Sequence, residues 1–272
     1  MALAVADGES QPRLHVEERG QGDPVLLLHS GGMSSRQWRT LSAALATTHR
    51  VLAPDLLGYG GSPPWPDDAP LGDADVAAVA HLIEALPGPV HLVGHSYGGH
   101  VALAVARLDP ARVRSLTLYD PVAFGVLRDP PDDEALAELR RLESDPRFTD
   151  PIEGGREVWM RLFIDFWGGE GAWTALPRAS REQFLRVGRK VFHEVTSLGD
   201  DRTPASAYAG WTMPTLLLTG EASPLAARRV IERLERAFPR ATRVVVPGAG
   251  HMGPLTAGDV VDPLIAAHVR GA

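Results

Sequence analysis

The chain of 272 residues contains no cysteine, and this absence excludes several kinds of chemistry. Disulfide bonds, thiolate metal sites and a cysteine nucleophile are all ruled out. Any nucleophile in this protein must therefore be an oxygen or an amine. Long apolar runs are also missing, because no stretch approaches the length that crosses a bilayer.

An excess of basic charge is absent as well. The 27 Lys and Arg residues are outnumbered by 34 Asp and Glu residues, so the formal net charge is −7. Nucleic acids and anionic membranes attract basic surfaces, so we expect neither as a partner. A small, neutral molecule is the expected substrate, and the sequence leaves open whether the chain forms a homo-oligomer. The first residues lack a positive region followed by an apolar stretch, so we expect a cytoplasmic location.

Short apolar runs alternate with longer amphipathic stretches along most of the chain. The runs are continuous and bounded by Gly, Pro or Asp, which is typical of strands buried on both faces of a parallel sheet. They lie at 24–29, 50–55, 89–94, 113–120, 214–220 and 242–248. Helices are predicted at about 36–48, 73–86, 97–109, 224–238 and 256–270. The repeated order of strand, helix and strand predicts an α/β fold with a doubly wound, mostly parallel sheet.

One segment interrupts this alternation. Between 121 and 213 no buried-strand run occurs, and three stretches with helical periodicity stand there instead. We therefore predict a core made of 1–120 and 214–272, and a helical cap made of 121–213. Helices inserted between two strands of an α/β sheet are typical of a lid over the carboxyl edge, where ligands bind.

The strongest chemical signal is the stretch LVGHSYGGH at 92–100. It contains a G-x-S-x-G motif with Ser96 at its centre, between a predicted strand and a predicted helix. A strained turn in that position lifts the serine hydroxyl clear of the backbone and needs small neighbours. The hydroxyl becomes a good nucleophile when a base takes its proton. The alternative interpretation is a glycine-rich turn in which Ser96 only caps the helix.

Four motifs stand in an order and spacing that resemble the α/β-hydrolase superfamily: LLLHSGGMSSRQW, VLAPDLLGYGGS, LVGHSYGG and PGAGHMGPLT. The chain looks like a member with a serine nucleophile and a helical cap. The resemblance implies a triad of Ser, acid and His in that chain order, an oxyanion hole and no cofactor. Relatives that act on halides or epoxides use Asp where Ser96 stands, so we do not expect that chemistry. No H-E-x-x-H or comparable cluster indicates a metal-dependent hydrolase.

The base is assigned to His251, in the glycine-rich loop after the last predicted strand. From this loop the ring can reach across the carboxyl edge of the sheet toward Ser96. His95 is interpreted as a packing residue, because its side chain points away from the turn that carries Ser96. His29 is interpreted as a brace for its own loop.

The oxyanion hole implied by the resemblance uses backbone amides. One comes from Tyr97, directly after the serine, and the other comes from the HSGG loop. Gly31 is the preferred donor in that loop, and Gly32 is the alternative. Both remain open because Ser30 stands where relatives commonly have glycine. A flexible turn between strand and helix would explain the same residues.

The catalytic acid is missing from its usual place. In most members it follows the strand that corresponds to 214–220, where this chain has Ser223. A serine cannot stabilise an imidazolium by charge, so we expect replacement of Ser223 by alanine to cost little. A minority of the superfamily carries the acid one strand earlier, which here is Asp120 before Pro121. Proline favours an extended backbone in the preceding residue, which suits a side chain that projects from a strand end.

We therefore expect the Asp120 carboxylate within about 3.2 Å of the His251 ring nitrogen that faces away from Ser96. Glu221 is the alternative acid, because it also lies at a strand end near the His251 loop. Residues of the insertion, Asp165 or Asp201, are further alternatives.

Aromatic residues are concentrated in the insertion, and their spacing suits packing against the core as well as a pocket. We expect the side that faces Ser96 to be apolar. The preferred function is a cofactor-free serine hydrolase of small, partly hydrophobic carboxylic esters or related acyl compounds. The alternatives are a carbon–carbon bond hydrolase or perhydrolase with the same triad, and a non-catalytic ligand receptor.

Overall fold

The computed structural model describes residues 13–65 and 71–272, and its centre is a sheet of seven strands. β1 pairs antiparallel with β3, and the other five pairings are parallel. The order across the sheet is β1-β3-β2-β4-β5-β6-β7. This sheet confirms the predicted fold class. In chain order the strands are β1 (Val16–Arg19), β2 (Pro24–Leu28), β3 (Arg50–Pro54), β4 (Val90–His95), β5 (Val113–Tyr119), β6 (Thr215–Gly220) and β7 (Ala241–Val246).

Burial explains why most strands could be predicted. Every residue of β2, β4 and β6 is buried, as their continuous apolar runs indicate. The expectation that 242–248 is buried on both faces is wrong, because β7 is an edge strand in which Val246 is the one buried residue. β1 escaped prediction because its sequence, VEER, is polar and largely exposed.

Helices cover both faces of the sheet and keep its central strands dry. On one face, α1 (Arg39–Leu45) packs with α11 (Gly258–Gly271), which follows the short helix α10 (Gly253–Thr256). The other face carries α2 (Leu71–Glu84), α3 (Tyr97–Leu108) and α9 (Leu225–Ala237). Within 13–65 and 71–272, no helix has the length and apolar character needed to cross a membrane.

The segment between β5 and β6 carries helices and no strand of the sheet. Its side chains pack into the same apolar cluster as those of α2, α3 and α9, so the division into core and cap stays a prediction. Glu138 ties the two together, because its carboxylate accepts from the amides of Leu225 and Ala226 at the start of α9. The helices of this insertion are α4 (Asp133–Glu143), α5 (Pro146–Thr149), α6 (Glu157–Gly168), α7 (Ala172–Ala175) and α8 (Arg178–Gly199).

Trp159 of α6 should carry much of the stability of the insertion. Its side chain is fully buried, stacks on Phe148 and Phe163, and donates from Nε1 to the carbonyl of Phe148 over 2.8 Å. We expect Trp159→Ala to lower the free energy of unfolding by about 3–5 kcal/mol, because it leaves a large cavity. Urea unfolding monitored by circular dichroism measures the change. Val158→Ala, on the exposed side of the same helix, should shift the midpoint little; equal losses in the two variants would contradict the prediction.

Candidate active site

Ser96 lies at a sharp turn between β4 and α3. Its φ of 53° and ψ of −120° place it in a region that non-glycine residues rarely adopt. Two glycines make the turn possible. A Cβ on Gly94 would lie 2.5 Å from the carbonyl oxygen of Gly98, and a Cβ on Gly98 would lie 2.4 Å from that of His29. The motif therefore allows α3 to leave β4 at once, with the serine at the tip.

His251 faces Ser96 across the carboxyl edge of the sheet. Its Nε2 lies 3.0 Å from the Ser96 hydroxyl oxygen, and both side chains are buried. Two contacts hold the loop that carries it. His95 Nε2 lies 2.8 Å from the carbonyl oxygen of His251, and the Tyr119 hydroxyl donates to that of Gly250 over 2.8 Å. His95 therefore packs in the interior, where burial lowers its pKa well below the usual range, and it also positions the loop.

Asp120 lies behind His251, at the end of β5. One carboxylate oxygen, Oδ2, is 3.3 Å from His251 Nδ1, on the side of the ring that faces away from Ser96. This distance is slightly longer than we expected from the sequence. Asp120 is fully buried, and its φ is 42°. The expectation of an extended backbone before Pro121 is therefore wrong, and the residue adopts a strained conformation of the kind found at functional sites.

Ser223, which stands where the acid was expected, forms a hydrogen bond with Asp120. Its hydroxyl donates to Asp120 Oδ2 over 2.6 Å and accepts from the amide of Gly220 over 3.1 Å. The same carboxylate oxygen is thus shared between Ser223 and His251. In the sequence Ser223 marks only the absence of an acid, and this hydrogen bond revises the expectation that its replacement costs little.

The other acids considered from the sequence lie elsewhere. Glu221 is exposed and accepts from the amide of Gly248 over 2.9 Å. Asp165 accepts from the amide of Trp173, and Asp201 accepts from those of Gly125 and Thr203. Along the described parts of the chain, none of these three carboxylates forms a hydrogen bond with His251.

The loop after β2 brings Gly31 to the same edge. His29 braces this loop: its Nδ1 lies 2.8 Å from the carbonyl oxygen of Ser30, and its Nε2 accepts from the amide of Leu56. Gln37, which sequence reasoning missed, accepts through Oε1 from the amide and the hydroxyl of Ser30, and its Nε2 lies 3.0 Å from His95 Nδ1. The loops of Gly31 and His251 are therefore joined through two side chains.

The amides of Gly31 and Tyr97 are available to a ligand. Within the described ranges, neither donates to a protein acceptor, and both residues line the cavity beside Ser96. The amide of Gly32 instead lies against the hydroxyl of Tyr59. Burial raises the pKa of Tyr59 well above its usual range, and the Gly32 amide opposes that rise.

The cavity in front of Ser96 has a volume of about 380 Å³ and mostly apolar walls. Trp167 stacks on His251, with ring centroids 3.9 Å apart and an angle of 27° between the planes. The aromatic residues of the insertion thus have two locations. Trp159, Trp173 and Phe192 are buried in the packed interior, whereas the cavity is lined by Phe163, Phe166, Trp167 and Phe184.

A buried ionic cluster joins α8 to the core beside the cavity. Lys190 Nζ donates to Asp75 Oδ2 over 2.5 Å and to Glu194 Oε1 over 3.0 Å. The hydroxyl of Tyr97 donates to Asp75, and that of Tyr59 donates to Glu194. Burial would lower the pKa of Lys190, but the two carboxylates outweigh burial and raise it. The one signal in the sequence was the spacing of Lys190 and Glu194 by four residues on a helix, which more often marks an exposed pair.

No group of three or more His, Asp or Glu side chains could hold a metal ion in the parts of the chain that the structure describes. A serine, a histidine and a buried carboxylate in one row, at the carboxyl edge of a parallel sheet, form the arrangement of serine hydrolases. The chain belongs to the alpha/beta hydrolase family, whose model matches residues 25–262, and the protein is a hydrolase.

Its relatives include enzymes with different reactions. The chain is 30% identical over 256 residues to the pimeloyl-[acyl-carrier protein] methyl ester esterase of Aeromonas hydrophila. The aligned region spans 87% of this chain and 91% of the esterase. It is 26% identical over 260 residues to the 2-hydroxy-6-oxononadienedioate/2-hydroxy-6-oxononatrienedioate hydrolase of Cupriavidus pinatubonensis, with 92% and 88% covered. A solved thermophilic esterase from Thermogutta terrifontis matches with a TM-score of 0.72 at 26% identity, over 95% and 93% of the two chains.

Replacement of Asp120 by asparagine tests which carboxylate orients His251. The amide keeps the shape of the side chain but favours the wrong imidazole tautomer, so we expect kcat to fall about 10⁴-fold. Glu221→Gln should leave turnover near the wild-type value, because Glu221 contacts Gly248 instead. Steady-state hydrolysis by the two variants measures this, and the reverse pattern would place the acid after β6.

Ser223 should support the acid rather than replace it. A hydrogen bond to a charged group contributes about 1.5–3 kcal/mol, so we expect Ser223→Ala to lower kcat by about ten- to a hundredfold. A rescue experiment is sharper. In Asp120→Asn/Ser223→Asp, the new carboxylate would stand next to position 120 and within reach of His251, so we expect turnover to rise well above that of Asp120→Asn alone. A double variant as slow as Asp120→Asn, in a folded protein, would refute this geometry.

Proposed function

We propose that this protein is a cofactor-free serine hydrolase that cleaves carboxylic esters, or related acyl bonds, of small and partly hydrophobic substrates. The observation that carries the proposal is the row of Ser96, His251 and Asp120, with 3.0 Å and 3.3 Å between the facing atoms, at the end of an apolar cavity. An acyl group in that cavity would place its carbonyl carbon next to the serine hydroxyl.

The reaction follows from the positions of the side chains. Ser96 Oγ attacks the carbonyl carbon, and His251 Nε2 takes the hydroxyl proton. Asp120 accepts a hydrogen bond from His251 Nδ1, which sets the tautomer and stabilises the imidazolium. The amides of Gly31 and Tyr97 bind the oxyanion of the tetrahedral intermediate. His251 then returns the proton to the leaving alcohol, and a water molecule hydrolyses the acyl-enzyme by the same steps in reverse.

The helical insertion serves as a lid in this proposal. Trp167 of α6 covers one face of the His251 ring, and Phe163, Phe166 and Phe184 close the cavity over Ser96. Apolar walls exclude water from the charges that form during the reaction, which strengthens their interaction with the protein. They also select for a substrate with a hydrophobic acyl or alcohol part.

Hydrolysis of a carbon–carbon bond is the second candidate, and Arg128 favours it. This arginine lines the cavity, and its buried Nε has no hydrogen-bond partner among residues 13–65 and 71–272. An unpaired guanidinium nitrogen suits a substrate carboxylate, and one relative is named for hydrolysis of a dienedioate and a trienedioate. Arg128→Met would then weaken turnover of a carboxylate-bearing substrate and spare neutral esters.

Ser96 should be required for all of these reactions. We expect Ser96→Ala to abolish hydrolysis of p-nitrophenyl esters and labelling by a fluorophosphonate probe while the fold stays intact, because the alanine offers no nucleophile. His251→Ala should lower turnover about as completely, since members of a triad act as a unit. A series of esters of rising chain length measures the size of the acyl pocket in the same assay.

Two outcomes would count against the proposal. Probe labelling that survives in Ser96→Ala would mean that another residue is the nucleophile. A wild-type protein that neither hydrolyses any ester of the series nor reacts with the probe would favour a ligand receptor.

A further inference from the structure

Glu194 of α8 is a buried residue that presents one carboxyl oxygen to the cavity. Its Oε1 accepts from the hydroxyl of Tyr59 over 2.8 Å and from Lys190 Nζ over 3.0 Å. Its Oε2 has no hydrogen-bond partner in the described parts of the chain. The residue is 2% exposed and lines the cavity together with Ser96. Oε2 is therefore the carboxyl atom of Glu194 that a molecule in the cavity could bind.

The unpartnered oxygen lies beside Gly31, which also approaches the Tyr97 side chain. It is 2.6 Å from the position that a Cβ on Gly31 would occupy, and therefore within about 4 Å of the Gly31 Cα. The Tyr97 Cβ is 3.8 Å from the same position. A substrate carbonyl oxygen bound between these two residues would meet Oε2 as a third neighbour.

The number of charges in the cluster indicates where a proton belongs. One ammonium group, on Lys190, faces two carboxyl groups in the interior. Asp75 receives three hydrogen bonds, from Lys190, the hydroxyl of Tyr97 and the amide of Leu57. Glu194 receives two, both at Oε1. Asp75 is thus the better stabilised anion, and a proton shared by the two acids resides on Glu194 Oε2.

The titration of Glu194 agrees with this placement. Burial raises its pKa to about 7, although the Lys190 ammonium works in the opposite direction. The groups that face it from neighbouring elements are Lys190 on the same helix, Asp75 on α2, Tyr59 after β3 and Tyr97 at the start of α3. Burial raises the pKa of both phenols well above their usual range, so they stay neutral while Glu194 titrates.

We propose that the Glu194 carboxyl group, protonated on Oε2, is a third hydrogen-bond donor to the oxyanion, beside the amides of Gly31 and Tyr97. The inference rests on the proposed serine-hydrolase function. Loss of the proton removes a donor and places a negative charge next to the oxygen that becomes negative in the transition state. The active form is therefore the protonated one, and activity falls as the pH rises through the pKa of Glu194.

The pH dependence of kcat/KM tests this role, because it reports the groups of the free enzyme. We expect wild-type kcat/KM for a neutral ester to fall above about pH 7. The decrease should approach about tenfold for each pH unit, as for the loss of a single proton. Glu194→Gln places an amide donor where Oε2 stands and cannot ionise, so it should keep its activity through pH 9 and exceed the wild type there. Glu194→Ala should lose activity at pH 6, mainly in kcat, by about ten- to a hundredfold.

A control variant separates this effect from a general loss of acidic charge. Glu182 lies exposed on the same helix as Glu194 and outside the cavity, so Glu182→Gln should retain the wild-type pH profile. Thermal unfolding of each variant shows whether the fold persists. A Glu194→Gln profile with the same alkaline fall as the wild type would overturn the proposal, and would leave Glu194 as a structural member of the ionic cluster.

Infrared difference spectroscopy provides a readout that does not depend on turnover. The band of protonated carboxyl groups should be stronger in the wild type than in Glu194→Gln at pH 6, and this difference between the two proteins should disappear by about pH 9. Burial also raises the pKa of Asp262 to about 6, so a band from that residue is expected in both proteins at pH 6. Identical wild-type and Glu194→Gln spectra would overturn the proposal even in an active enzyme. A titrating band in a protein without esterase activity would refute the proposed function and still support a protonated Glu194.

Discussion

The turn at Ser96 is the constraint on which the rest of the site depends. Its strained backbone exists because two glycines let α3 pass within van der Waals contact of β4 and of the loop after β2. The same close approach brings Tyr97 and Gly31 to the cavity beside Ser96, whose hydroxyl faces His251. A larger residue at Gly94 would push α3 away from β4, and a larger residue at Gly98 would push α3 away from the end of β2 and the loop that follows it.

Asp120 and Ser223 show how two neighbouring strand ends can together place one carboxylate behind His251. The family resemblance implies an acid after the strand that corresponds to β6, and this chain has Ser223 at that position. The ends of β5 and β6 are adjacent in the sheet, so Asp120 and Ser223 meet at one point behind His251. The hydroxyl of Ser223 then donates to the Asp120 carboxylate from the position where the family resemblance leads us to expect the acid. Positions 120 and 223 are therefore in direct contact, and the carboxylate that is missing at 223 is present at 120.

The insertion is joined to the core by polar contacts as well as apolar packing. Lys190 and Glu194 bring charge into the interior, where an unpaired group would be costly, and Asp75, Tyr59 and Tyr97 meet them there. Tyr97 also supplies an amide beside Ser96, so the contact that holds α8 and the contact that would hold an oxyanion involve the same residue. A shift of α8 would therefore change the position of Tyr97 beside Ser96.

Strong local patterns in the sequence determined the fold class, six of the seven strands, the serine turn and the loop of His251. Continuous apolar runs and the glycines of a tight turn act over a few residues, so they can be read without tertiary structure. The polar strand β1, the exposure of β7 and the backbone of Asp120 could not be read in this way, because each depends on sheet position or on neighbours distant in the chain. The same holds for the hydrogen bond of Ser223, the link through Gln37 and the cluster around Glu194. Their partners lie 103, 58 and 135 residues away in the chain, and only folding brings them within a hydrogen-bond distance.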